Sequence, residues 1–511
     1  MGDKISMVPF VILGIYLLIV LILAFAPQKK KAADSGSFEE FYTAGKSFGG
    51  IVVALIMLVT YYQGSTWTGW QGFVAQYGVF GAYVIPYCVG AGVVMYFLAE
   101  KVWPLGKKYS LCTMPDLLEL RYQSIWLKVL SGFLGVAMDV TVITMEIVTL
   151  GYIINIATSG YVSITMGAGV GIAVLAIYIL WGGIKSIGRV DSFNGFLMLI
   201  GSIFVSFFVA YFYYGGISEV FETVLKYEPS QFTLIGSEGY GTPQHWFSFG
   251  FICTVGALCW PSLYMKMYVG KGVNEIRYTG IVSAIAGIWC VFFLLTGFAA
   301  IGIEYIGHPG FEDPQSSLLL LVFRSGNMVV FGLLAVFILA ATIGTVDSTL
   351  LADAGAFTND VIIGFKRAIR KAPKIGTKEY SSSEEALDQK KVMLLTRGII
   401  IAMAVLAFIV SQMNIPMLVF LVMMNYQGIC LLFPPLIGGL YWKKSTAKGA
   451  IAGLICGIAV ASSLVALNLE PLGFIPGVWA LLVDTIVFVA VSLMTKNNTE
   501  NEEVMNDIFG N

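Results

Sequence analysis

The chain has 511 residues, of which 57% are hydrophobic and only 12% are charged, and its mean hydropathy is +0.82. An average soluble domain carries about 25% charged residues, so the polar side chains are too few to cover a water-soluble enzyme of this size, and the apolar content excludes a disordered chain. The formal net charge of −1 gives no electrostatic support for nucleic-acid binding.

Thirteen apolar segments follow along the chain, each long enough for the roughly 20 residues that a membrane-spanning helix needs. They predict helices at approximately 7–26, 48–78, 81–100, 125–158, 162–183, 190–214, 245–269, 279–303, 327–363, 393–412, 416–441, 448–468 and 473–495. Lys29, Lys30 and Lys31 follow the first segment at once, so we interpret it as an uncleaved membrane helix. A charged linker lies at 366–391, and a short polar tail lies at 496–511.

The basic residues favour one orientation in the membrane. With the N-terminus outside, only Lys4, Lys226 and Arg324 lie on the outer side, and the other Lys and Arg lie in or beside inner loops. The sequence therefore predicts a multi-pass protein of the cell membrane, with its N-terminus outside and its C-terminus in the cytoplasm. The lipid bilayer is a predicted partner, and the oligomeric state is left open.

Segments two and seven both contain sequences that break helices near mid-depth. Segment two has hydroxyls, an amide and glycines between Val59 and Gly69, and segment seven has Gly256 followed by Trp-Pro-Ser at 260–262. Unpaired backbone is tolerated in a bilayer only where it lines a cavity. Because the breaks are five segments apart, five-helix units that start there would be inverted relative to one another. This arrangement indicates a transport site at the midplane.

Polar and aromatic residues at these breaks are candidates for a solute cavity. They are Tyr61, Gln63, Ser65, Thr66, Trp67 and Trp260. No basic side chain is expected at mid-depth to pair with a solute carboxylate, since Lys266 and Arg189 lie towards the inner ends. The positive end of an interrupted half-helix is the expected alternative partner for that carboxylate.

Acidic residues at membrane depth are costly and are usually functional. The candidates are Asp139, Glu146, Asp191, Asp347, Asp353 and Asp484. Asp347 lies in a polar patch of segment nine, where Thr345 and Ser348 are one turn apart. Carboxylate, hydroxyl and carbonyl oxygens are the ligands that hard cations prefer.

The chain resembles the sodium/solute symporter family over nearly its whole length. The resemblance is carried by Phe-Tyr-Thr-Ala-Gly-Lys-Ser at 41–47, Trp-Gly-Gly at 181–183 with Asp191, Pro261 with Lys266, and Gly-Thr at 344–345 with Leu-Leu at 350–351. Within the family, the sequences at 121–124, 439–442, 447–450 and 472–476 are similar to those of sodium/pantothenate symporters.

This resemblance implies an all-α fold of about 13 membrane helices around a leucine-transporter-like core of two inverted five-helix repeats. Residues 1–47 would form the N-terminal helix and linker, 48–214 the first repeat, and 245–441 the second repeat. Two C-terminal helices would follow at 448–495, and a cytoplasmic tail at 496–511.

The resemblance also implies a sodium site between segments two and nine. Its ligands would be the backbone carbonyls of Val59, Tyr62 and Ala341 and the side chains at 344 and 345. The family has two hydroxyl residues at these last positions, whereas this chain has Gly344 and Thr345. We therefore expect Gly344→Ser to preserve or tighten sodium binding. A second sodium site of some relatives would map to Asp191, Asp347 and Ser348.

These observations predict a sodium-coupled symporter that imports a small organic solute, either a monocarboxylate such as pantothenate or an amino acid. Coupling to protons through Asp191 and Asp347, or sodium-independent transport, is an alternative. A nutrient sensor that acts with a separate partner is another. An enzyme is not expected, because the sequence contains no nucleophile elbow, catalytic metal motif or phosphate-binding glycine loop.

Overall fold

A computed structural model describes residues 6–25, 42–181, 184–235, 241–377, 379–380, 389–413, 417–496 and 501–510. Within these ranges the chain is helical, and its only β-type pairing is a single bridge between Phe48 and Gly270. Nine of the described helices are long and apolar enough to cross a membrane, and shorter apolar helices accompany them at Val8–Ala24, Gly50–Tyr61 and Ile164–Ala176. The predicted all-α polytopic fold is confirmed.

The first half of the chain forms nine helices in the described ranges. They are α1 (Val8–Phe25), α2 (Gly50–Tyr61), α3 (Gln71–Tyr77), α4 (Val84–Lys108), α5 (Met114–Tyr122), α6 (Ile125–Ala157), α7 (Ile164–Trp181), α8 (Ile184–Val209) and α9 (Ile217–Tyr227). A π-helical turn at Thr66–Trp70 precedes α3, and another at Ala210–Tyr214 extends α8. Short 3-10 turns lie at Gly78–Tyr83 and Pro229–Phe232.

The second half forms thirteen helices in the described ranges. They are α10 (Pro243–Ala257), α11 (Pro261–Lys266), α12 (Val273–Ala286), α13 (Cys290–Gly302), α14 (Ser317–Arg324), α15 (Met328–Ala356), α16 (Gly364–Ile369), α17 (Gln389–Ser411), α18 (Leu418–Ile429), α19 (Phe433–Tyr441), α20 (Ala447–Ala466), α21 (Pro476–Met494) and α22 (Glu502–Phe509). A π-helical turn at Phe357–Ile363 joins α15 to α16. The remaining 3-10 turns lie at Gly287–Trp289, Ile303–Ile306, Pro314–Ser316, Cys430–Leu432 and Pro471–Gly473.

Each of the thirteen predicted segments coincides with one of these helices or with a consecutive pair. Segment two is divided between α2 and α3, and segment seven between α10 and α11, so both predicted breaks are present. The short helices α5, α9, α14, α16 and α22 were not among the predicted segments, because none is long enough to span a bilayer. Lys4, the cluster 29–31, Gly182, Gly183 and linker residues 381–388 lie outside the described residues.

Burial differs strongly among the spanning helices and shows which of them forms the centre of the bundle. In the most apolar window of α15, 83% of the residues are buried, compared with 28% in α20 and 33% in α21. Helix α15 packs against α1, α6, α8 and α2, whereas α20 and α21 pack mainly against each other. Helix α15 is therefore the central element, and its polar residues face protein rather than lipid.

The tail contains a helix that its polar composition did not predict. Val504 and Ile508 of α22 are buried at the end of the bundle. The Lys101 Nζ atom donates to the Ile508 carbonyl over 2.8 Å, and Lys108 Nζ lies 2.5 Å from Asp507 Oδ2. The tail is thus docked against α4 by one apolar face and several polar contacts.

Candidate functional site

The break in segment two is stabilised by a carboxylate from another helix. After α2 ends at Tyr61, the amide of Gly64 donates to Glu146 Oε2 over 3.0 Å and the amide of Ser65 donates to Oε1 over 2.9 Å. A Cβ atom at position 64 would lie 2.7 Å from Glu146 Oε2 and would collide with the Thr342 hydroxyl, so glycine is required. The positive end of this half-helix is therefore already paired, so a solute carboxylate would have to compete with Glu146 to bind there.

The break in segment seven uses proline and tryptophan. Helix α10 ends at Ala257, and α11 begins at Pro261, where a proline costs no helical hydrogen bond. Trp260 precedes it with an extended backbone and is fully buried, with its ring 5.9 Å from that of Tyr426. Its side chain faces the Asp139 carboxyl group of α6.

A partly open cavity lies beside the break in segment two, with about 580 Å³ of empty space that includes its opening to solvent. Four of the six predicted solute-binding residues line it: Tyr61, Gln63, Ser65 and Thr66. The structure places the other two elsewhere. Trp67 is buried with its ring 4.9 Å from that of Phe293, and Trp260 packs at the second break. The rest of the wall includes Tyr62, Tyr87, Met423 and Tyr426, which come from α2, α4 and α18 or lie beside them.

The cavity wall is mostly apolar, with a few hydroxyl and amide groups among aromatic and aliphatic side chains, and it carries no charge among the described residues. The hydroxyls of Tyr87 and Tyr426 are 2.6 Å apart and share a hydrogen bond. Ser65 Oγ donates to Gln63 Oε1 over 3.2 Å, and the Tyr61 hydroxyl is buried without a hydrogen-bond partner. A solute would therefore be held by hydrogen bonds from hydroxyl and amide groups and by aromatic and aliphatic contacts.

The residues of the first predicted ion site meet where α15 crosses α2. Thr345 Oγ1 lies 3.1 Å from the Val59 carbonyl oxygen and 3.0 Å from the Ala341 carbonyl oxygen. Tyr62, whose carbonyl is another predicted ligand, follows the end of α2 close behind Val59 and lines the cavity. One hydroxyl and two carbonyl oxygens are thus assembled within reach of a single cation.

Gly344 faces the same region and is packed too tightly to accept a side chain. A Cβ atom there would lie 2.7 Å from both methyl carbons of Val59 and 3.1 Å from Asp191 Oδ1. Ordinary contacts between carbon atoms are about 3.5–4.0 Å. The expectation that Gly344→Ser preserves or tightens sodium binding therefore needs correction, because the new side chain must first displace Val59.

Residues of the second predicted ion site are also close together, and they adjoin the first. Ser348 Oγ donates to Asp191 Oδ2 over 3.0 Å. The other oxygen of Asp191 and both carboxyl oxygens of Asp347 are buried without hydrogen-bond partners. Since Asp191 Oδ1 is directed at the gap beside Gly344, the two predicted sites form one continuous oxygen-rich region. Unpartnered buried oxygens of this kind fit a bound cation.

A buried lysine that the sequence interpretation placed near the inner surface also faces this region. Lys266 of α11 is fully buried, and its Nζ atom donates to the Ile56 carbonyl over 2.9 Å and to the Thr60 hydroxyl. Its charge acts on both Asp191 and Asp347. The expectation that no basic side chain is placed to pair with a solute carboxylate stays a prediction: no Lys or Arg is among the described residues that line the cavity, and Lys266 faces the ion region instead. The sequence signal that could have identified Lys266 as a functional residue was its place as a lone basic residue within an apolar stretch.

Comparisons with known proteins agree with this geometry. The sodium:solute symporter family matches residues 41–457. The sodium/pantothenate symporter of Escherichia coli is 23% identical over 489 residues, which cover 94% of this chain and 95% of that protein. A sodium/proline symporter of Staphylococcus aureus is 25% identical over 507 residues, which cover 95% and 93%.

Among solved structures, an outward-open, substrate-bound Na⁺-coupled sialic acid symporter has the same fold. The two structures align with a TM-score of 0.74 and 16% identity over 97% of this chain and 99% of the other. This likeness confirms the leucine-transporter-like architecture that the resemblance implied. Since the family match extends over most of the chain and includes both broken helices and α15, the chain belongs to the sodium:solute symporter family.

Proposed function

We propose that this sodium-coupled symporter imports a small organic monocarboxylate whose body carries hydroxyl or amide groups, as that of pantothenate does. The observation that carries the proposal is the uncharged wall of the cavity, in which a few hydrogen-bonding groups lie among apolar side chains. Gln63, Ser65 and Thr66 offer an amide and two hydroxyls, and Tyr61 offers a buried hydroxyl that has no partner among the described residues. A solute with several neutral polar groups would satisfy these side chains.

An amino acid is less well accommodated. Its ammonium group would need an anionic or strongly polar partner in a site away from water. Glu146 is the carboxylate next to this break, but both of its oxygens accept hydrogen bonds from the amides of Gly64 and Ser65. The cavity therefore offers no available anion among its described residues, which favours a solute without an ammonium group.

In this proposal the coupling sodium provides the positive charge that the cavity wall lacks. The ion would bind to the carbonyls of Val59, Tyr62 and Ala341 and to Thr345 Oγ1, with Asp191 Oδ1 nearby. Because Tyr62 borders both regions, sodium and a solute carboxylate would attract each other across a short distance. Each would then strengthen the binding of the other, which is what coupled transport requires.

The direct experiment measures uptake of pantothenate, proline and neutral amides into proteoliposomes under an imposed sodium gradient. We expect pantothenate-like monocarboxylates to be concentrated and proline not to be. Gln63→Ala removes one hydrogen bond worth about 0.5–1.5 kcal/mol, so the solute affinity should fall by about 2- to 12-fold. Gln244→Ala, which changes an exposed glutamine outside the cavity, is the matched control. Uptake of proline alone, or an unchanged affinity in Gln63→Ala, would contradict the proposal.

A further inference from the structure

A second acidic site lies between α6 and α15, apart from the sodium region. Asp139 and Asp353 are fully buried, and their carboxyl groups face each other closely enough to share a hydrogen bond. Asp139 Oδ1 accepts a hydrogen bond of 2.7 Å from the Asn425 amide, whereas Asp139 Oδ2 and both oxygens of Asp353 accept none from the residues that the structure describes. The pair therefore has more acceptor oxygens than the surrounding side chains can satisfy.

The other polar groups at this place are also incompletely paired. The Trp260 indole nitrogen and the Asn425 amide oxygen are buried without hydrogen-bond partners of their own. Trp260 faces Asp139 from the break between α10 and α11, and Asn425 approaches from α18. Polar atoms from four structural elements thus meet at one buried point. Two of these atoms belong to the neutral side chains of Trp260 and Asn425.

No positive charge balances the two acids. The described groups that interact with either carboxyl are the other carboxyl, Asn425, Trp260 and the Tyr42 hydroxyl beside Asp353, and they include no Lys, Arg or His. Helices α1, α2, α5, α7, α8, α11, α16 and α17 also pack on α6 or α15, but no titratable residue described on them acts on the pair. Two carboxylates in contact in a buried site cannot both be ionised, since like charges strongly disfavour each other.

We propose that Asp139 and Asp353 form a proton-binding site that holds one shared proton. Protonation forms one O–H bond on one carboxyl, and that hydrogen is donated to the facing carboxylate oxygen. The Asn425 amide and the Trp260 indole supply the donors that stabilise the remaining negative charge. A proton fits better than sodium here, because Asn425 and Trp260 present N–H donors to the pair, whereas a hard cation is surrounded by oxygen ligands.

The position of the pair relates its proton to the transport cycle. Through Trp260, the acidic pair connects the break between α10 and α11 to α6, α15 and α18. The proton is retained while these helices are closed around it. Separation of the helices admits water, and the proton leaves to bulk solution as the two carboxylates move apart. Transport through this symporter therefore depends on pH even when sodium is the driving ion, which goes beyond the proposed function.

Infrared spectroscopy of the purified full-length protein tests the shared proton directly. The C=O stretch of a protonated carboxyl group should be present in the wild type at neutral pH. Asp353→Asn and Asp139→Asn should each remove the same band, because the new amide donates to the remaining carboxylate in place of the proton. Loss of two different bands would mean two independent protons, and the absence of any band change would mean no proton; either result overturns the proposal.

The pH profile of uptake provides the functional test, with the sodium gradient held constant. We expect wild-type uptake to change with pH by no more than about tenfold per pH unit, as for one proton. Asp353→Asn should flatten this profile while sodium-driven uptake persists, and Asp139→Asn provides a second variant should the first not fold. Asp484→Asn, which removes another buried acid in α21, should leave the profile unchanged. Weaker ²²Na⁺ binding in Asp139→Asn would identify a metal site and refute the proton site, whereas sodium-independent uptake would refute only the proposed function.

Discussion

The contact between Gly344 and Val59 gives the sharpest test of how the sodium region is built. Gly344→Ser would place a Cβ atom 2.7 Å from two methyl carbons of Val59, about 1 Å closer than an ordinary contact. Overpacking of this kind typically costs about 1–3 kcal/mol. If the whole cost falls on the conformation that binds sodium, the apparent sodium affinity weakens by about 5- to 150-fold.

Val59→Ala removes both methyl groups and should relieve the clash. We expect the double variant, Val59→Ala with Gly344→Ser, to bind sodium at least as tightly as the wild type, because the serine hydroxyl can then join Thr345 at the ion. The two substitutions should therefore be coupled by at least about 1 kcal/mol in a double-mutant cycle.

The assay is equilibrium binding of ²²Na⁺ to purified protein, with melting temperature measured in parallel. Gly398→Ser is the matched control, since it makes the same substitution in a membrane helix where a Cβ atom meets nothing within 4 Å. Unchanged or tighter sodium binding in Gly344→Ser alone, without any need for Val59→Ala, would refute this reasoning.

Three further outcomes follow from the structure. Glu146→Gln leaves one amide of the broken helix without an acceptor, so stability in a denaturation assay should fall by about 1–3 kcal/mol, and an unchanged midpoint would contradict this role. In a cysteine-free background, an impermeant thiol reagent applied to intact cells should label Glu222→Cys but not Lys374→Cys, and the reverse pattern would contradict the N-out, C-in orientation. Partial burial would raise the pKa of Asp507, but its hydrogen bonds from Lys108 and Tyr109 outweigh this and hold the pKa below its usual value. We therefore expect the tail to be docked and protected from limited proteolysis at neutral pH. Docking should be lost as the pH falls from about 4 through that lowered pKa, and the tail should then be cleaved. Equal cleavage at neutral and at acidic pH would contradict this role of Asp507.

Local sequence was sufficient to predict the membrane segments and the two breaks. Runs of apolar residues and the positions of Gly and Pro are properties of short stretches, and the structure confirms the breaks before Thr66 and Pro261. The resemblance to a family also placed Thr345 beside Val59, where the structure has it.

The partners of the broken helices could not be predicted in the same way, because they depend on which helices meet. Glu146 was noted as a buried acid, but its hydrogen bonds to Gly64 and Ser65 join residues more than 80 positions apart. The contacts of Lys266 with Ile56 and Thr60 were not predicted, since they depend on where the short helix α11 lies. The tail helix was missed because Val504 and Ile508 are two apolar residues in an otherwise polar sequence.

The central claim is that sodium binds where α2 and α15 cross and drives the uptake of solute. Uptake into proteoliposomes, with sodium and pH gradients imposed separately, tests it most directly. We expect concentrative uptake only with a sodium gradient, at every pH at which the protein is active. Thr345→Ala should abolish the stimulation of uptake by sodium, because it removes the hydroxyl between the Val59 and Ala341 carbonyls. Concentrative uptake driven by a pH gradient in sodium-free buffer, or full sodium stimulation in Thr345→Ala, would contradict it.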